Sequence, residues 1–414
     1  MPQGAPSSPI ITNLICEILD FRLLKLAKEY KLDFTRYADD LTFSTNNPSF
    51  EHQFASFKYK LQLEIERAGF KINDTKSRLQ FRDSRQEVTG LIVNKKINVK
   101  KEYSKNTRAM AHQLYTKGSF TINNEFGTIN QLEGRFSFIN QIDLYNNKIN
   151  INIGSIKKHD LGKLASRERQ YQQFLFYKYF FANPNPLIVT EGKTDPVYLR
   201  AALRSFYSEF PNLIEKNEDG SFMFKISFLR RTKRLSYFLD FQVDGADTIR
   251  SLYNFFSRDK SNGRKYPCYF EILKKMNSNI PPNNPVIFLF DNELSNNDKP
   301  LTKFTKHINL DSQKKSSLEN DYKINILGNL FLLTHQLANG KQECEIEDLF
   351  DIETLNHKIN DKSFSREKNF DTAQFYGKDI FAKYVAQNYS DINFDNFHPL
   401  LNNINEIIAE YKNN

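Results

Sequence analysis

Between Pro9 and about Tyr30, apolar residues recur at Ile11, Ile15, Ile18, Leu19, Leu23 and Leu26, close to the helical period. This predicts a helix, with Ser7 or Ser8 as its cap and Pro9 in its first turn. The period then changes. Asp33–Tyr37 and Leu41–Ser44 are short β-prone runs around Ala38-Asp39-Asp40, which predicts a hairpin with two carboxylates at its tip. A helix over 49–68 ends at Gly69, and Glu87–Val93 with Lys95–Val99 predicts a strand pair turning at Asn94-Lys95. From Tyr103 to Phe181 the pattern is mostly helical, with polar interruptions near Asn123 and Asn146.

Asn183-Pro184-Asn185-Pro186 forbids helix continuation, and a domain boundary is expected there. Beyond it, Leu187–Thr190, Met223–Leu229 and Val286–Phe290 read as strands, and 196–210 and 246–257 read as helices. Alternating strands and helices imply an α/β domain with a mainly parallel sheet covered on both faces. The part before the break reads as α+β, and the expected division is 1–100, 101–183 and 184–414.

A chain of 414 residues is longer than one core usually grows, which agrees with two or three domains. Its formal net charge of +9 suits a polyphosphate partner. The three cysteines, Cys16, Cys268 and Cys344, are far apart, which argues against a disulfide framework and a zinc site and for a reducing compartment. Neither a secretory leader nor an apolar run long enough for a bilayer is visible, so a cytoplasmic protein without a membrane partner is expected.

Two carboxylates on a rigid turn are a simple way to hold the divalent cations that nucleotidyl transfer needs, although an Asp-Asp pair in a turn is ordinary by itself. Here Pro2-Gln3-Gly4-Ala5-Pro6-Ser7-Ser8-Pro9, an amphipathic helix and then Tyr37-Ala38-Asp39-Asp40 follow in order. That succession resembles consecutive motifs of reverse transcriptases. Gly69-Phe70-Lys71-Ile72-Asn73 with Lys76 resembles the family's next motif, in which a lysine assists the departing pyrophosphate. Val88-Thr89-Gly90-Leu91 resembles the Val-Thr-Gly signature of the retron subgroup. The resemblance implies a polymerase palm with Asp39 and Asp40 on Mg²⁺, and a helical thumb around Leu132–Ile139. It also implies contacts to nucleic acid from Gln3, Gly4, Val88, Thr89 and Gly90. Lys95, Lys96, Lys100 and Lys101 beside Tyr103 suit phosphate contact and stacking on a structured RNA, with a solvated charged face as the alternative. A further palm aspartate would precede the Pro-Gln-Gly segment, so the polymerase part is expected to be N-terminally incomplete and inactive alone.

A second constellation lies beyond the break. Leu187–Thr190 leads into Glu191-Gly192-Lys193-Thr194-Asp195, and Val286–Phe290 leads into Asp291-Asn292-Glu293. Ligands gather at the carboxyl ends of strands in open α/β sheets, so both clusters should meet at one edge as an oxygen-rich site suited to Mg²⁺. Reading Gly192-Lys193-Thr194 as the end of a phosphate-binding loop fails because Leu187 stands where that loop needs glycine. Helix capping by Glu191 and Asp195 is the structural alternative.

The paired clusters resemble the TOPRIM fold of topoisomerases, primases and overcoming-lysogenization-defect nucleases. The resemblance implies that Glu191 acts as general acid or base and that Asp291 and Glu293 hold metal with Asp195 beside them, Glu293 standing where the family has aspartate. It further implies Glu347 as a second-metal ligand and Lys378 as a transition-state cation. Arg230, Arg231, Lys233 and Arg234 form a basic run that could follow a substrate backbone or simply be solvated. Together the resemblances imply a retron reverse transcriptase that makes a branched RNA–DNA hybrid from a structured RNA, fused to a TOPRIM nuclease as anti-phage effector and able to form a homo-oligomer. A non-catalytic nucleic-acid assembly and a primase-like or topoisomerase-like activity are the alternatives.

Overall fold

The computed structural model describes residues 5–152, 160–241, 246–257, 265–338, 340–367 and 369–413. Gln3 and Gly4 lie outside them. The chain forms two compact units, one of residues 1–107 and 137–157, the other of 108–136 and 158–414. The expected break at 183–186 therefore falls inside the second unit.

In the first unit, α1 (Ser8–Glu29) precedes the hairpin of β1 (Asp33–Tyr37) and β2 (Asp40–Ser44), and α2 (Phe54–Arg67) packs against α1. Leu19, Leu23 and Leu26 of α1 are buried, with Phe57 and Ile65 of α2 among their neighbours in two small clusters. Phe34 of β1 stacks on Phe43 of β2 at 4.9 Å, which ties the hairpin to the same core. The periodic pattern of α1 overstated its burial: Ile15 and Ile18 are exposed, because this helix is apolar on more than one side and only one side is covered here.

The next hairpin is shorter than expected. β3 (Glu87–Val88) pairs with β4 (Leu91–Ile92), and the turn is Thr89-Gly90 rather than Asn94-Lys95. Both turn residues have positive φ, 45° and 84°, the geometry that a tight two-residue hairpin demands, and only a single bridge, Ile92 to Asn98, continues beyond it. Two long helices, α3 (Lys101–Lys117) and α4 (Ile129–Asn152), each contribute residues to both units. Asn146 does not interrupt α4; its side chain donates to the Ile97 carbonyl at 2.7 Å from within the helix.

The second unit includes a small hairpin, β5 (Thr121–Ile122) and β6 (Glu125–Phe126), which turns at Asn123-Asn124, where the polar interruption was expected. α5 (Ser166–Phe176) runs into a π-helical turn, Tyr177–Phe181, and the rings of Phe176 and Phe180 pack on Phe256. That packing is why residues before the double proline belong to the same unit as those after it. Next come β7 (Leu187–Thr190), α6 (Asp195–Ser205) and the β8 (Ile214–Lys216) and β9 (Phe222–Phe224) hairpin. Then come β10 (Ser227–Phe228), α7 (Lys233–Leu239), α8 (Ala246–Phe256), α9 (Tyr269–Met276) and β11 (Val286–Phe290). The chain continues through α10 (Pro300–His307), α11 (Ser312–Asp321), β12 (Lys323–Leu327) and β13 (Leu330–Thr334). It ends with α12 (Ile352–Leu355), a β14 (Ser363–Phe364) and β15 (Phe375–Tyr376) pair, α13 (Lys378–Gln387) and α14 (His398–Asn413).

The central sheet has the order β10-β7-β11-β13-β12, with β10, β7, β11 and β13 parallel and β12 an antiparallel edge. Its strands bury alternate residues in two cores. Val189, Phe288 and Leu332 face one, and Ile188, Ile287 and Leu333 face the other. β12 and β13 escaped the sequence pattern, and the expected strand over Met223–Leu229 divides between the β8–β9 hairpin and the sheet. Among the described residues, no helix is long and apolar enough to cross a membrane.

Candidate functional site

The first acidic pair sits on the β1–β2 turn. Tyr37 pairs with Asp40, leaving Ala38 and Asp39 as the connection, and Ala38 takes a left-handed φ of 52°. Arg36 secures this conformation from below. Its guanidinium makes a two-pronged contact with Asp20 of α1, Nε to Oδ1 at 2.7 Å and Nη2 to Oδ2 at 2.6 Å. The other amino group donates to the Ala38 carbonyl at 3.0 Å. The hydrogen bond to Asp20 holds Arg36 above the ordinary arginine pKa. Asp39 and Asp40 are both exposed, and so is Lys76, whose backbone N–H donates to the Asn73 side chain.

In the second hairpin, Val88 is paired, while Thr89 and Gly90 form the turn. Lys100 is engaged by Glu87, which lies half-shielded among Lys100, Arg85 and Arg78. The Lys100 contact, with help from Arg85 and Arg78, lowers the Glu87 carboxyl. Lys95, Lys96 and Lys101 are exposed and make no ion pair among the described residues.

At the sheet edge the picture is denser. β7 and β11 are adjacent and parallel, with Thr190 level with Leu289, so Glu191 and Asp291 leave neighbouring strands at the same end. Glu191 accepts the Asp291 backbone N–H at 3.2 Å. Asp195, at the start of α6, turns back to accept the Gly192 N–H at 2.9 Å. A β-carbon on Gly192 would stand 2.5 Å from an Asp195 oxygen, so only glycine allows that approach. Asp291 accepts the Ile346 N–H at 2.9 Å, and Glu293 accepts from Lys299 at 2.7 Å. Glu347, 1% exposed, is reached by Lys378 at 3.1 Å and by the Tyr198 hydroxyl at 3.4 Å. Lys378 opens α13, which packs on α6, and also donates to Glu345 at 3.0 Å.

These groups feel one another. Burial, then the charge of Asp291, pushes Glu191 well above the carboxylate range and Asp195 up to about 6. Glu347 is pushed up to about 7 by burial, with Lys378 opposing and Asp291 and Asp195 adding to the rise. Burial also raises Glu293, partly offset by Lys299. Burial by itself would lower Lys378, but Glu347 and Glu345 outweigh it and hold the ammonium above its usual range. Asp291 is thus the charge that all four other carboxylates sense.

Glu191, Asp195, Asp291, Glu293, Glu347 and Lys378, all named from sequence, are therefore brought to one edge of one sheet. Each carboxylate has its own N–H or ammonium donor, and among the described residues no group of three or more His, Cys, Asp or Glu side chains is arranged to hold a metal ion. His335 went unnoticed in the sequence. It follows β13 level with Asp291, is 1% exposed, and puts Nε2 3.7 Å from Asp291 Oδ1. The apolar run Leu330–Thr334 was the signal that could have revealed it. The basic run 230–234 is divided in its contacts. Arg231 donates to the Thr190 and Glu191 carbonyls, both at 2.7 Å, and so braces the β7 end. Arg234 pairs with Glu133 at 3.0 Å, whereas Arg230 is exposed.

Comparison with known proteins bears on the first of these regions. Residues 1–104 match the family model "Reverse transcriptase (RNA-dependent DNA polymerase)". The retron Mx162 reverse transcriptase of Myxococcus xanthus is 36% identical over 160 residues, 34% of this chain and 32% of that protein. The retron Ec86 reverse transcriptase of Escherichia coli is 35% identical over 144 residues, 34% of this chain and 42% of that protein. The retron Ec83 enzyme of the same organism is 54% identical over 43 residues. The matched stretches thus span between 14% and 42% of these relatives' length. The N-terminal part of this chain is homologous to retron reverse transcriptases.

Proposed function

We propose that the β1–β2 turn belongs to an RNA-directed DNA polymerase of retron type and that the sheet edge of the second unit is the centre of a Mg²⁺-dependent nuclease of TOPRIM type. In this reading a structured RNA is the template, a branched RNA–DNA hybrid the product, and the second unit the effector of an anti-phage response. The polymerase half is supported by homology over residues 1–104 and by the Arg36 clamp, which presets the turn bearing Asp39 and Asp40.

One observation carries the nuclease half. Four separate stretches of sequence deliver five carboxylates and a lysine to the carboxyl ends of parallel strands, with Asp291 sensed by every other acid. The donor set is all oxygen, which fits Mg²⁺, and the burial and mutual repulsion that raise these acids are what a divalent cation would offset. Glu191, Asp195, Asp291, Glu293 and Glu347 would hold it; when bound, it supplies a polarised phosphoryl oxygen and a water made more acidic. Glu191, raised by burial and then by Asp291, is the group placed to act as general acid or base toward a leaving oxygen. Lys378, kept fully charged, faces charge that develops on phosphate.

The test is a double dissociation. Asp291→Asn should lower Mg²⁺-dependent cleavage of single-stranded DNA, duplex DNA or structured RNA by about 100-fold or more, as loss of a preorganised charge does. Asp39→Asn with Asp40→Asn should leave cleavage intact and, in a protein that carries the whole polymerase region, abolish RNA-templated DNA synthesis. Cleavage that persists in EDTA, or that survives Asp291→Asn, refutes the nuclease half.

A further inference from the structure

Beside the carboxylate edge the second unit carries three arginines that have no carboxylate partner among the described residues. Arg200 and Arg204 lie one helical turn apart on α6, and Arg230 follows β10. β10 ends with Phe228 level with Ile188, and Arg231 reaches the Thr190 and Glu191 carbonyls, so Arg230, between them, stands at the sheet end that carries Glu191. The guanidinium of Arg200 lies 4.8 Å above the Phe228 ring, and that of Arg204 lies 5.9 Å from Phe224 and 6.0 Å from Phe222. Tyr389, 5.5 Å from Arg204, completes an aromatic surface behind the two arginines, and cation–π contacts of this kind favour arginine over lysine.

Like charges crowd together here. Burial, then Arg230 and Arg204, pulls the pKa of Arg200 down. No ion pair offsets this at any of the three among the described residues, and Arg204 Nε is buried without a hydrogen-bond acceptor. Structural arginines are normally paired, as Arg36 and Arg234 are in this chain. A row of guanidiniums without carboxylate partners among the described residues, set among aromatic rings, is complementary to a flexible polyanion with flat bases, since the cations meet phosphates and the rings meet bases.

We propose that Arg200, Arg204 and Arg230 form a binding track for single-stranded nucleic acid that leads to the carboxylate edge. That the track feeds a cleavage centre rests on the nuclease reading above; that it binds a strand does not. A rigid duplex presents its bases edge-on and cannot lay them on aromatic surface, so the half-buried rings of Phe222, Phe224 and Tyr389 beside these cations favour an unpaired strand as the occupant.

Binding of fluorescein-labelled dT15 by the whole chain in EDTA, read by anisotropy, tests the track without metal chemistry. Arg200→Ala with Arg204→Ala should weaken binding about tenfold or more. It should also reduce the slope of log K against log salt by about 1.4, as removal of two phosphate-neutralising charges does. Arg230→Glu, a change at an exposed position, should weaken binding similarly and decides the matter alone if the double variant fails to fold. Unchanged affinity in a folded variant, or a duplex competing as well as the single strand, overturns the track. Lost binding in the variants with no cleavage under any condition would refute the nuclease reading and leave the track standing. Cleavage with binding unaffected would do the reverse.

Discussion

The two acidic sites solve opposite problems. Asp39 and Asp40 are exposed on a two-strand turn, where water screens their repulsion and the Arg36 clamp reinforces the backbone beneath them. The sheet-edge carboxylates are withdrawn from water and raise one another, so their placement opposes folding. The difference teaches what holds each in place. The turn acids are positioned by local backbone geometry, whereas the sheet-edge acids are positioned by the parallel sheet that carries them.

The largest consequence is a pH dependence of opposite kind to ordinary acid denaturation. Asp195 rises from 3.8 to about 6 and Glu347 from 4.5 to about 7, so between about pH 4 and pH 7 the folded chain binds more protons than the unfolded chain. Stability of metal-free protein should therefore fall as pH rises through that window, by at most about 3 kcal/mol per group. Mg²⁺ at 100 times its dissociation constant should restore about 2.7 kcal/mol near neutral pH. Asp291→Asn should make the profile shallower, since burial remains, and raise the melting temperature at neutral pH without metal. Asp39→Asn and Asp40→Asn should leave it within about 0.5 kcal/mol of the parent. Calorimetry across pH in EDTA and in Mg²⁺ checks this; a flat profile, or an Asp291→Asn variant less stable than the parent, would remove the proposed stress.

The same contrast explains what could be read from sequence. The turn was legible because alternation, turn chemistry and the acidic pair all lie within a dozen residues. The strand ends at Glu191 and Asp291 were legible because a short apolar run and an abrupt carboxylate are local signals too. Strands β12 and β13 were not, since Leu330–Thr334 is an apolar run that periodicity cannot tell from buried helix, and with it went His335. Nor could local pattern say that Arg231 would brace a backbone while Arg230 stayed exposed, because those partners are set by a sheet register spanning about forty residues. The turn at Thr89-Gly90 was misplaced for a different reason: Asn94-Lys95 is the commoner turn chemistry, and threonine at positive φ is not foreseen by propensity.

At the exposed site the clamp, not the acids, should carry the stability. Arg36→Ala removes four hydrogen bonds, two to Asp20 and one each to the Ala38 carbonyl and the Asn13 side chain, and leaves Asp20 without its guanidinium, for a cost of about 2 to 3 kcal/mol in urea unfolding. Arg36→Lys should recover less than half of that, because an ammonium cannot reach both Asp20 oxygens and the Ala38 carbonyl together. Equal stability of Arg36→Ala and the parent would mean that the turn holds its shape unaided.

Two glycines give the finest comparison, since one is required by a neighbour and the other by its own backbone. Gly192 has no left-handed φ, but an added β-carbon meets the Asp195 carboxylate at 2.5 Å and must push it from the Gly192 N–H. Gly192→Ala should therefore reduce cleavage as well as cost about 1 to 2 kcal/mol. Gly90 has open space around it and a φ of 84°, so Gly90→Ala meets no atom and bears only the strain of the left-handed conformation, about 1 kcal/mol. Gly90→Asn, which tolerates that region, should recover part of the loss, while Gly192→Asn should recover nothing. If both asparagine variants behaved alike, the separation between a site held by packing and one held by backbone shape would fail at its most local test.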